Sequence, residues 1–347
     1  MRSRKTIAVA PGATIREQLE DRGMTQKEFS VRMDMSEKHI SKLINGKTQL
    51  TPGVALRLEC VLGIPAQYWI NLEAIYRERC IRAKDENAMD NDMELAQKFP
   101  YGEMAKLGWV EITRSQTERV VNLRKYFQVA RLETIEKLTI PGIAYRRTDV
   151  NDRSNYALAA WAQRAQIEAR EREVSSINIA RLQELIPTIR AMTLEPADVF
   201  CNKLVELLAG CGIAVVFLPH IKGSFIHGAS FYDGKHIVLG LTVRGRDADK
   251  FWFSLFHELA HIIKGHIGKS GTTEAEEKEA NDFAAEVLIP KNLYDEFIMR
   301  NNISEAAVCR FAEQIGIAPG IVVGRLQNDG IIDHKHMNGL KDKYIID

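Results

Sequence analysis

The feature that most constrains this 347-residue chain is the apolar stretch FWFSLFHELAHIIKGH at residues 251–266. Apolar residues fall on nearly every side of a helix predicted over residues 247–265, namely Phe253, Phe256, Leu259, Ala260 and Ile263. Such a helix should be buried. The polar residues within it are His257, Glu258 and His261, and unpaired polar groups in a buried helix cost several kcal/mol. The pattern therefore predicts a common partner for these three side chains.

The spacing of these residues points to a metal. His257 and His261 stand one helical turn apart, so their imidazoles reach the same point on one face. Glu258 lies ~100° round the helix from His257 and projects beside that point. It is placed to accept a proton from water rather than to bind the metal. Chance H-E-x-x-H matches are common, and the burial of this helix is what favours zinc.

A third ligand is expected in the following helix, within TEAEEKEANDFAAEVLIP. At ~100° per residue, Glu276 and Glu277 fall near the apolar face, whereas Glu279 points away. We select Glu277, which stands four residues before Asn281, so that Asn281 can orient a ligand histidine by hydrogen bonding. The alternative is an acidic, solvated helix start near the positive end of the helix dipole.

Short strands precede the metal helix. GIAVVFLP predicts a buried strand, and GASFYDGKHIVLG predicts a hairpin turning at Asp233-Gly234. We expect its edge at residues 237–239 to pair with an extended substrate. The candidates for stabilising an oxyanion are His227, Tyr232 and Arg325. The histidines expected not to bind metal are His266, His334 and His336. Residues 304–326 imitate a helix-turn-helix but are expected to pack on the C-terminal core.

The N-terminal residues predict a second kind of site. Thr25 and Ser36 are N-caps for two short helices, the second over Glu37–Ile44, which together make a helix-turn-helix. The outward residues of the second helix can meet base edges in the major groove. They are Glu37, Lys38, His39, Ser41 and Lys42. Gln26, at the start of the preceding helix, can bond a phosphate. An ordinary solvated helix face is the alternative.

A resemblance supports the DNA-binding interpretation. TQKEFSVRMDMSEKHISKLINGKTQLTPGVALRLECVLGIPAQYWINLEAIY resembles the Cro/CI-type (Xre) helix-turn-helix domains, specifically the HigA-type antitoxins. The resemblance implies that Gln26, Glu37, Lys38 and Lys42 face DNA. It also implies that Asn45 and Lys47 lie in a loop that meets the DNA backbone. Members bind operators as dimers and often control their own promoter.

The C-terminal part resembles another family. H-E-L-A-H, followed by E-x-E-A-N-x-F-A-A-x-x-L-x-P, is similar to the ImmA/IrrE-type zinc metallopeptidases over roughly residues 195–332. The resemblance implies that His257, His261 and Glu277 bind Zn²⁺ and that Glu258 is the general base. Members cleave repressors of the Cro/CI type, or are fused to such domains and regulate.

These patterns predict a mainly α, multidomain chain. We expect an all-α Cro/CI-type DNA-binding domain over residues 1–82 and, over 83–98, a polar linker that becomes helical late. A helical spacer or dimerisation region should follow over 99–194, and an α+β zincin-like metallopeptidase domain with a small sheet over 195–347. Residues 1–82 carry 14 Lys and Arg against 9 Asp and Glu, and the remainder carries 33 against 37. The basic surplus of the first domain suits a polyanionic partner.

The cysteines and the apolar runs of the sequence indicate the cellular compartment of the protein. The five cysteines are odd in number and never form C-x-x-C, which argues against a disulfide framework or a cysteine zinc site. No apolar run approaches the roughly 18–20 residues of a membrane span, and the apolar run near the N-terminus is too short for a signal peptide. We therefore expect a cytoplasmic protein without a membrane partner.

The resulting hypothesis is a DNA-binding transcriptional regulator of the antitoxin or prophage-repressor type that is also a gluzincin-like zinc metalloendopeptidase. Its expected partners are operator DNA, a second copy of itself as a homodimer, a repressor or antitoxin as substrate, and a cognate toxin. One alternative is a regulator whose zinc domain only senses or scaffolds. Another is an antitoxin that neutralises its toxin by binding alone.

Overall fold

A computed structural model describes most of the chain, namely residues 6–87, 89–136, 152–224, 226–242, 247–268 and 271–344. The chain divides into two compact units, Met1–Met93 and Glu94–Asp347, and each is described by itself. The predicted fold class is confirmed: the chain is mainly helical and multidomain, with an N-terminal helix-turn-helix and a small C-terminal sheet.

The described residues of the first unit form the helices α1 (Gly12–Asp21), α2 (Gln26–Arg32), α3 (Glu37–Ile44), α4 (Pro52–Leu62) and α5 (Ala66–Asn87). Both predicted caps are present, since the hydroxyl of Thr25 accepts from the Glu28 amide at 3.1 Å and that of Ser36 from the His39 amide at 3.2 Å. The buried side chains that hold the helices together include Ile15, Phe29, Ile40, Leu58 and Trp69. This core fixes the α2–turn–α3 pair.

The segment predicted as a linker is largely helical. Helix α5 continues to Asn87, and α6 (Asp90–Lys98) follows almost at once across the boundary between the two units. Successive i,i+4 ion pairs along α5, Arg77–Glu73 and Arg82–Glu78, support this length. The predicted domain boundaries themselves stay predictions.

The second unit holds the remaining described helices: α7 (Tyr101–Lys106), α8 (Gln116–Phe127), α9 (Asp152–Ala169), α10 (Ile179–Ala191), α11 (Ala197–Ala209), α12 (Ala248–Ile263), α13 (Glu274–Leu288), α14 (Lys291–Met299), α15 (Glu305–Ile315) and α16 (Pro319–Asn328). Helix α9 lies against the sheet, where Trp161 packs so closely on Gly240 that a Cβ at that glycine would lie 2.5 Å from its ring. Helices α7 to α10, which fall in the predicted spacer region, therefore share one compact unit with α11 to α16.

Three strands form the sheet: β1 (Ile213–Leu218), β2 (Gly228–Asp233) and β3 (His236–Thr242). Their order is β1-β3-β2, with β3 parallel to β1 and antiparallel to β2. The edge predicted at residues 237–239 is therefore wrong, because β3 is paired on both sides. Asp233 pairs with His236, so the turn is Gly234-Lys235, one residue later than predicted.

Helix α9 also anchors the hairpin turn. Arg170 donates to both carboxylate oxygens of Asp233, at 2.7 and 2.9 Å, and Gln166 donates at 2.8 Å. The hydrogen bond from Arg170 is the main reason that the pKa of Asp233 is lowered. This contact ties β2 and β3 to the helical part of the unit.

Asp233→Asn should therefore lower stability only where the carboxylate is charged. Because the folded-state pKa lies below the unfolded value of ~3.9, the ionised side chain stabilises the fold above that value. The contribution is lost as the pH falls through the folded pKa. At pH 6 we expect the variant to lose about 1 kcal/mol of unfolding free energy, a modest value because solvent screens the half-exposed Arg170. At more acidic pH the stabilities of the variant and the wild type should converge.

Urea unfolding followed by tryptophan fluorescence measures this difference, since Trp109, Trp161 and Trp252 all lie in the second unit. Asp282→Asn, which removes an exposed acid from α13, is the matched control. A constant difference between the Asp233 variant and wild type at every pH would contradict the ion-pair origin.

Helix α12 is buried as predicted at Phe256, Leu259 and Ala260, whereas Ile263 is partly buried and Phe253 is exposed. Phe251, Trp252, Phe256 and Leu259 belong to the core of the second unit. Phe253 is 36% exposed, because it faces a cavity rather than that core. Helices α15 and α16, which imitate a helix-turn-helix, pack on the same core, as predicted. Their buried residues include Val308, Phe311, Val322 and Leu326.

Among the described residues, no single helix has both the length and the apolar character to cross a membrane. One bent pair, Glu305–Ile315 with Pro319–Asn328 at 114°, could do so by length and composition only.

Candidate metal centre and nucleic-acid interface

Helices α12 and α13 present the predicted ligands to each other. His257 and His261 lie one turn apart on α12. The first turn of α13 is fixed by a capping box, in which the Thr273 hydroxyl accepts from the Glu276 amide and the Glu276 carboxylate accepts from the Thr273 amide. Glu277 follows directly and is held on the side that faces α12.

The three predicted ligands meet at one point. The Nε2 atoms of His257 and His261 are 3.0 Å apart. The Glu277 carboxylate lies 3.4 Å from the first and 3.5 Å from the second. Tetrahedral zinc with bonds of ~2.0–2.1 Å separates its ligand atoms by about 3.3 Å. Two imidazoles and a carboxylate at these separations fit a zinc ion that keeps a fourth position open. Within the described part of the chain, these three residues form the group suited to hold a metal.

Polar neighbours hold each ligand in place. Asn281 Oδ1 lies 2.9 Å from His257 Nδ1, which is the contact expected from the E-x-x-x-N spacing. Thr272 donates to Glu277 Oε1 at 2.5 Å. Asn281 was predicted for this role, whereas Thr272 was not, because it lies before the helix begins.

His266 supports the remaining ligand. The Nδ1 atoms of His266 and His261 are 3.1 Å apart, and His266 Nε2 lies 3.4 Å from Glu279. Glu279 in turn accepts from Lys264 at 2.7 Å. Coordination of a metal through Nε2 would leave the proton of His261 on Nδ1, where it would donate to His266 Nδ1. The proton of His266 would then lie on Nε2, toward Glu279. His266 is not among the clustered ligand atoms, as expected, but it orients one of them.

Glu258 lies beside the cluster in a buried position. Its Oε2 accepts from the Ser230 hydroxyl on β2 at 2.7 Å. Burial raises the pKa of Glu258, against the opposing effects of His257, Ser230 and His261. Gly228 makes room for it, since a Cβ there would lie 2.9 Å from Glu258 Cγ. A carboxylate of raised pKa beside a metal-binding cluster is suited to exchange protons.

The ligand charges favour a cation. Burial works to raise the pKa of Glu277, but hydrogen bonds from His257, His261 and Thr272 outweigh it and hold the pKa well below its usual range. Burial works to lower the pKa of His257, but the hydrogen bond to Glu277 and the nearby carboxylates outweigh it and raise that pKa. A metal ion would replace the proton that these groups otherwise share.

The three candidates for stabilising an oxyanion lie next to or on β2 and on α16. His227 immediately precedes β2, and Tyr232 lies further along that strand, 40% exposed. Arg325 is held by Asp329 at 2.7 Å and lies over the ring of Tyr294. The assignment of an oxyanion donor stays a prediction.

The helix-turn-helix presents its predicted DNA contacts outward. Ile40, Leu43 and Ile44 are buried, so α3 faces the core with one side only. The opposite side is exposed at Glu37, Lys38, Ser41 and Lys42, and half exposed at His39. Gln26, Asn45 and Lys47 are also exposed. The Asn45 amide donates to the Ser41 carbonyl at 2.7 Å and closes the end of α3.

Comparisons with known proteins assign a family to each part. Residues 15–69 match the family described as helix-turn-helix. Residues 214–327 match the M78 peptidase family, described as the IrrE N-terminal-like domain. Over 63 residues the chain is 36% identical to an uncharacterized HTH-type transcriptional regulator, YddM, of Escherichia coli (strain K12). That match covers 18% of this chain and 67% of the relative.

Proposed function

This chain belongs to the helix-turn-helix transcriptional regulators, and from that premise we propose that it joins operator binding to zinc-dependent cleavage of a protein. The N-terminal unit binds double-stranded operator DNA as part of a homodimer, in the manner of HigA-type antitoxins. The IrrE-like domain hydrolyses a peptide bond in a repressor, in an antitoxin or in this chain itself. A cognate toxin is the further partner of an antitoxin of this type.

One observation carries the peptidase proposal: three ligand atoms spaced for tetrahedral zinc lie next to a buried carboxylate that is not one of them. A site that only stores or senses zinc needs its ligands but has no use for Glu258. When bound by His257, His261 and Glu277, zinc supplies Lewis-acid chemistry, polarising a carbonyl and making water more acidic.

The chain's own residues then move the proton. Glu258 accepts it from the attacking water and passes it to the leaving amine. Ser230 donates to Glu258 Oε2 at 2.7 Å and thereby holds the carboxylate in place for the transfer. The raised pKa of Glu258 makes its protonated form accessible during that step. Asn281 and His266 keep the two imidazoles in the orientation in which Nε2 is the donor to the metal.

Strand β2 is suited to receive the substrate. It pairs with β3 on one side, and within the described sheet it is an edge strand. Ser230 lies in the middle of β2 and contacts Glu258, so a peptide added along this edge passes the proton acceptor. Strand addition supplies backbone hydrogen bonds without demanding a particular sequence.

Two measurements test the peptidase proposal, the zinc content of the protein and the formation of cleavage fragments. Full-length protein purified without added metal should contain about one zinc per chain, as expected for a single three-ligand site. Incubation with Cro/CI-type repressors and antitoxins from the same genome, and incubation of the protein alone, should give discrete fragments in at least one case. A chelator should stop their formation and zinc should restore it. Zinc-free protein that cannot be loaded, or zinc-loaded protein that leaves every candidate intact, would refute the peptidase proposal.

His266→Phe should weaken zinc binding by roughly 10–100-fold, the usual effect of losing a group that orients a metal ligand. The ring shape is kept, but the acceptor for His261 Nδ1–H is lost. His266→Asn, which offers an amide oxygen in its place, should recover most of the affinity. Competition against a chromophoric chelator measures this.

The matched control is His336→Phe, which removes an exposed histidine of the same unit. It should bind zinc like wild type. Equal zinc affinities for the Phe and Asn variants of His266 would show that packing, not the hydrogen bond, is what matters there.

A further inference from the structure

A cavity of about 630 Å³ opens between α12, α13, α16 and the segment that ends the described chain. Its lining reaches the metal centre without including the ligands. Phe253 lies one turn before His257, Asn281 is bonded to that histidine, and His227 directly precedes β2. A substrate held at the centre therefore has this cavity beside it. What the cavity could accept is decided by the groups at its far end.

Asp249 provides a buried acceptor there. Its side chain is 9% exposed, and Oδ2 accepts from Lys341 Nζ at 2.8 Å. Oδ1 is fully buried and has no hydrogen-bond partner among the described residues. Leaving a charged oxygen buried without a donor is costly. A bound group that donates a hydrogen bond would remove that cost.

Gly324 packs directly against one side of Asp249. A Cβ at that position would lie 2.3 Å from Asp249 Oδ2, so no larger residue fits there. The Asp249–Lys341 pair also ties the last described segment to α12, where the Ala248 amide donates to the Asp342 carbonyl at 3.0 Å. This structural role accounts for Oδ2. It leaves Oδ1 without a donor among the described residues.

The charge of the lining selects the sign of the ligand. Each basic residue that lines the cavity already has an acid. Lys250 pairs with Asp247 at 2.8 Å, Arg325 with Asp329 at 2.7 Å, and Lys341 with Asp249. Asp282 also lines the cavity and has no basic partner among the described residues. The groups left without a counterpart are therefore acceptors, Asp249 Oδ1 and the Asp282 carboxylate.

The length and the walls suit a long basic side chain. Eight residues of helix separate Asp249 from His257, a rise of about 12 Å. An extended lysine or arginine, its hydrogen bond and the aspartate side chain together span that distance. Leu288, Ile289 and Ile321 supply an apolar wall for the methylene groups.

We propose that this cavity is a specificity pocket that receives a lysine or arginine side chain of the protein substrate next to the bond to be cut. Asp249 Oδ1 accepts a hydrogen bond from the basic group, and Asp282 adds its charge at the mouth of the pocket. The proposal rests on the proposed peptidase function, because it places the substrate backbone at the metal centre.

Binding tests it without requiring cleavage. Three acetylated pentapeptide amides that differ only at the central residue, arginine, citrulline or norleucine, are titrated into the zinc-loaded, full-length Glu258→Gln chain. Citrulline keeps the shape of arginine but not its charge. The arginine peptide should bind roughly tenfold more tightly than the norleucine peptide, the order of one hydrogen bond to a charged group. Citrulline should lie between them.

Variants locate the effect in the cavity. Asp282→Asn should reduce the preference for arginine several-fold, whereas Glu274→Gln, an equal loss of charge at an exposed position of α13, should not. Asp249→Asn should reduce the preference for arginine further. If Asp249→Asn does not fold, Ala285→Leu replaces it, because this variant fills the cavity without changing its charges and should also reduce the preference.

Equal binding of the three peptides, binding of none, or a preference that survives both Asp282→Asn and Ala285→Leu would overturn the pocket. The peptidase proposal fails separately, if wild-type protein binds the arginine peptide selectively but never cleaves any substrate.

Discussion

Glu258→Gln should lower the rate of peptide-bond hydrolysis by roughly 10²–10⁴-fold, the range that a positioned general base contributes. Glutamine has the same shape, and its amide oxygen can still accept from the Ser230 hydroxyl. It cannot take a proton from water. Because Glu258 is not one of the three clustered ligands, the variant should bind as much zinc as wild type. Initial rates of fragment formation, measured with zinc-matched proteins, give the size of the effect.

Glu274→Gln is the matched control, since it makes the same change at an exposed site in the first turn of α13. It should cut at the wild-type rate. Cleavage by Glu258→Gln at that same rate would show that this carboxylate is not the base. Loss of zinc from the variant would instead place Glu258 among the ligands, which contradicts the observed geometry.

How far the metal centre could be predicted depended on helical phase. His257, Glu258 and His261 lie on one continuous helix, so ~100° per residue fixes their relative directions before any fold is known. Glu277 could be chosen over Glu279 by the same argument, because an apolar face defined the side of α13 that turns inward. Local periodicity is sufficient wherever the partners share a helix.

Residues of the site that lie outside α12 and α13 could not be predicted from helical periodicity. His266 follows the end of α12, and it reaches His261 because the chain turns at Gly265, where the backbone has φ 71°. Ser230 could be assigned only once β2 was known to lie against α12. The sheet order was missed for the same reason: parallel pairing of β1 with β3 depends on residues 24 positions apart, as Ile213 and Ile237 are. Strand alternation alone does not reveal which strand is central.

The N-terminal unit was easier to predict because its signals are local. Caps at Thr25 and Ser36 and the inward Ile40, Leu43 and Ile44 fixed both helices within a few residues of their observed ends. The acids and asparagines of residues 83–98 suggested a linker, but α5 continues through them as far as Asn87. Side-chain ion pairs one turn apart, such as Arg82–Glu78, are consistent with that extension.

The double substitution Lys38→Ala and Lys42→Ala should weaken operator binding roughly 10- to 10³-fold at fixed salt. Each lysine lies exposed on α3, on the side opposite its buried residues. There a contact with guanine is worth ~1–3 kcal/mol of binding free energy. A contact with a phosphate instead raises the affinity by releasing counterions from the DNA. The operator is first selected from random DNA by the wild-type, full-length protein. Affinity is then measured by fluorescence anisotropy over a range of salt concentrations.

Arg79→Ala with Lys84→Ala is the matched control, because it removes two exposed positive charges from α5 of the same unit. If charge alone attracts the DNA, both double variants lose affinity equally on every sequence. If α3 reads the groove, the α3 variant loses specific binding far more than binding to random DNA. For the α3 variant, the slope of log affinity against log salt concentration should become shallower by about 0.9 for each phosphate contact removed. Because Ile40, Leu43 and Ile44 hold α3 in place without help from either lysine, such a loss cannot be attributed to unfolding of the helix. Unchanged binding would mean that α3 does not face the DNA.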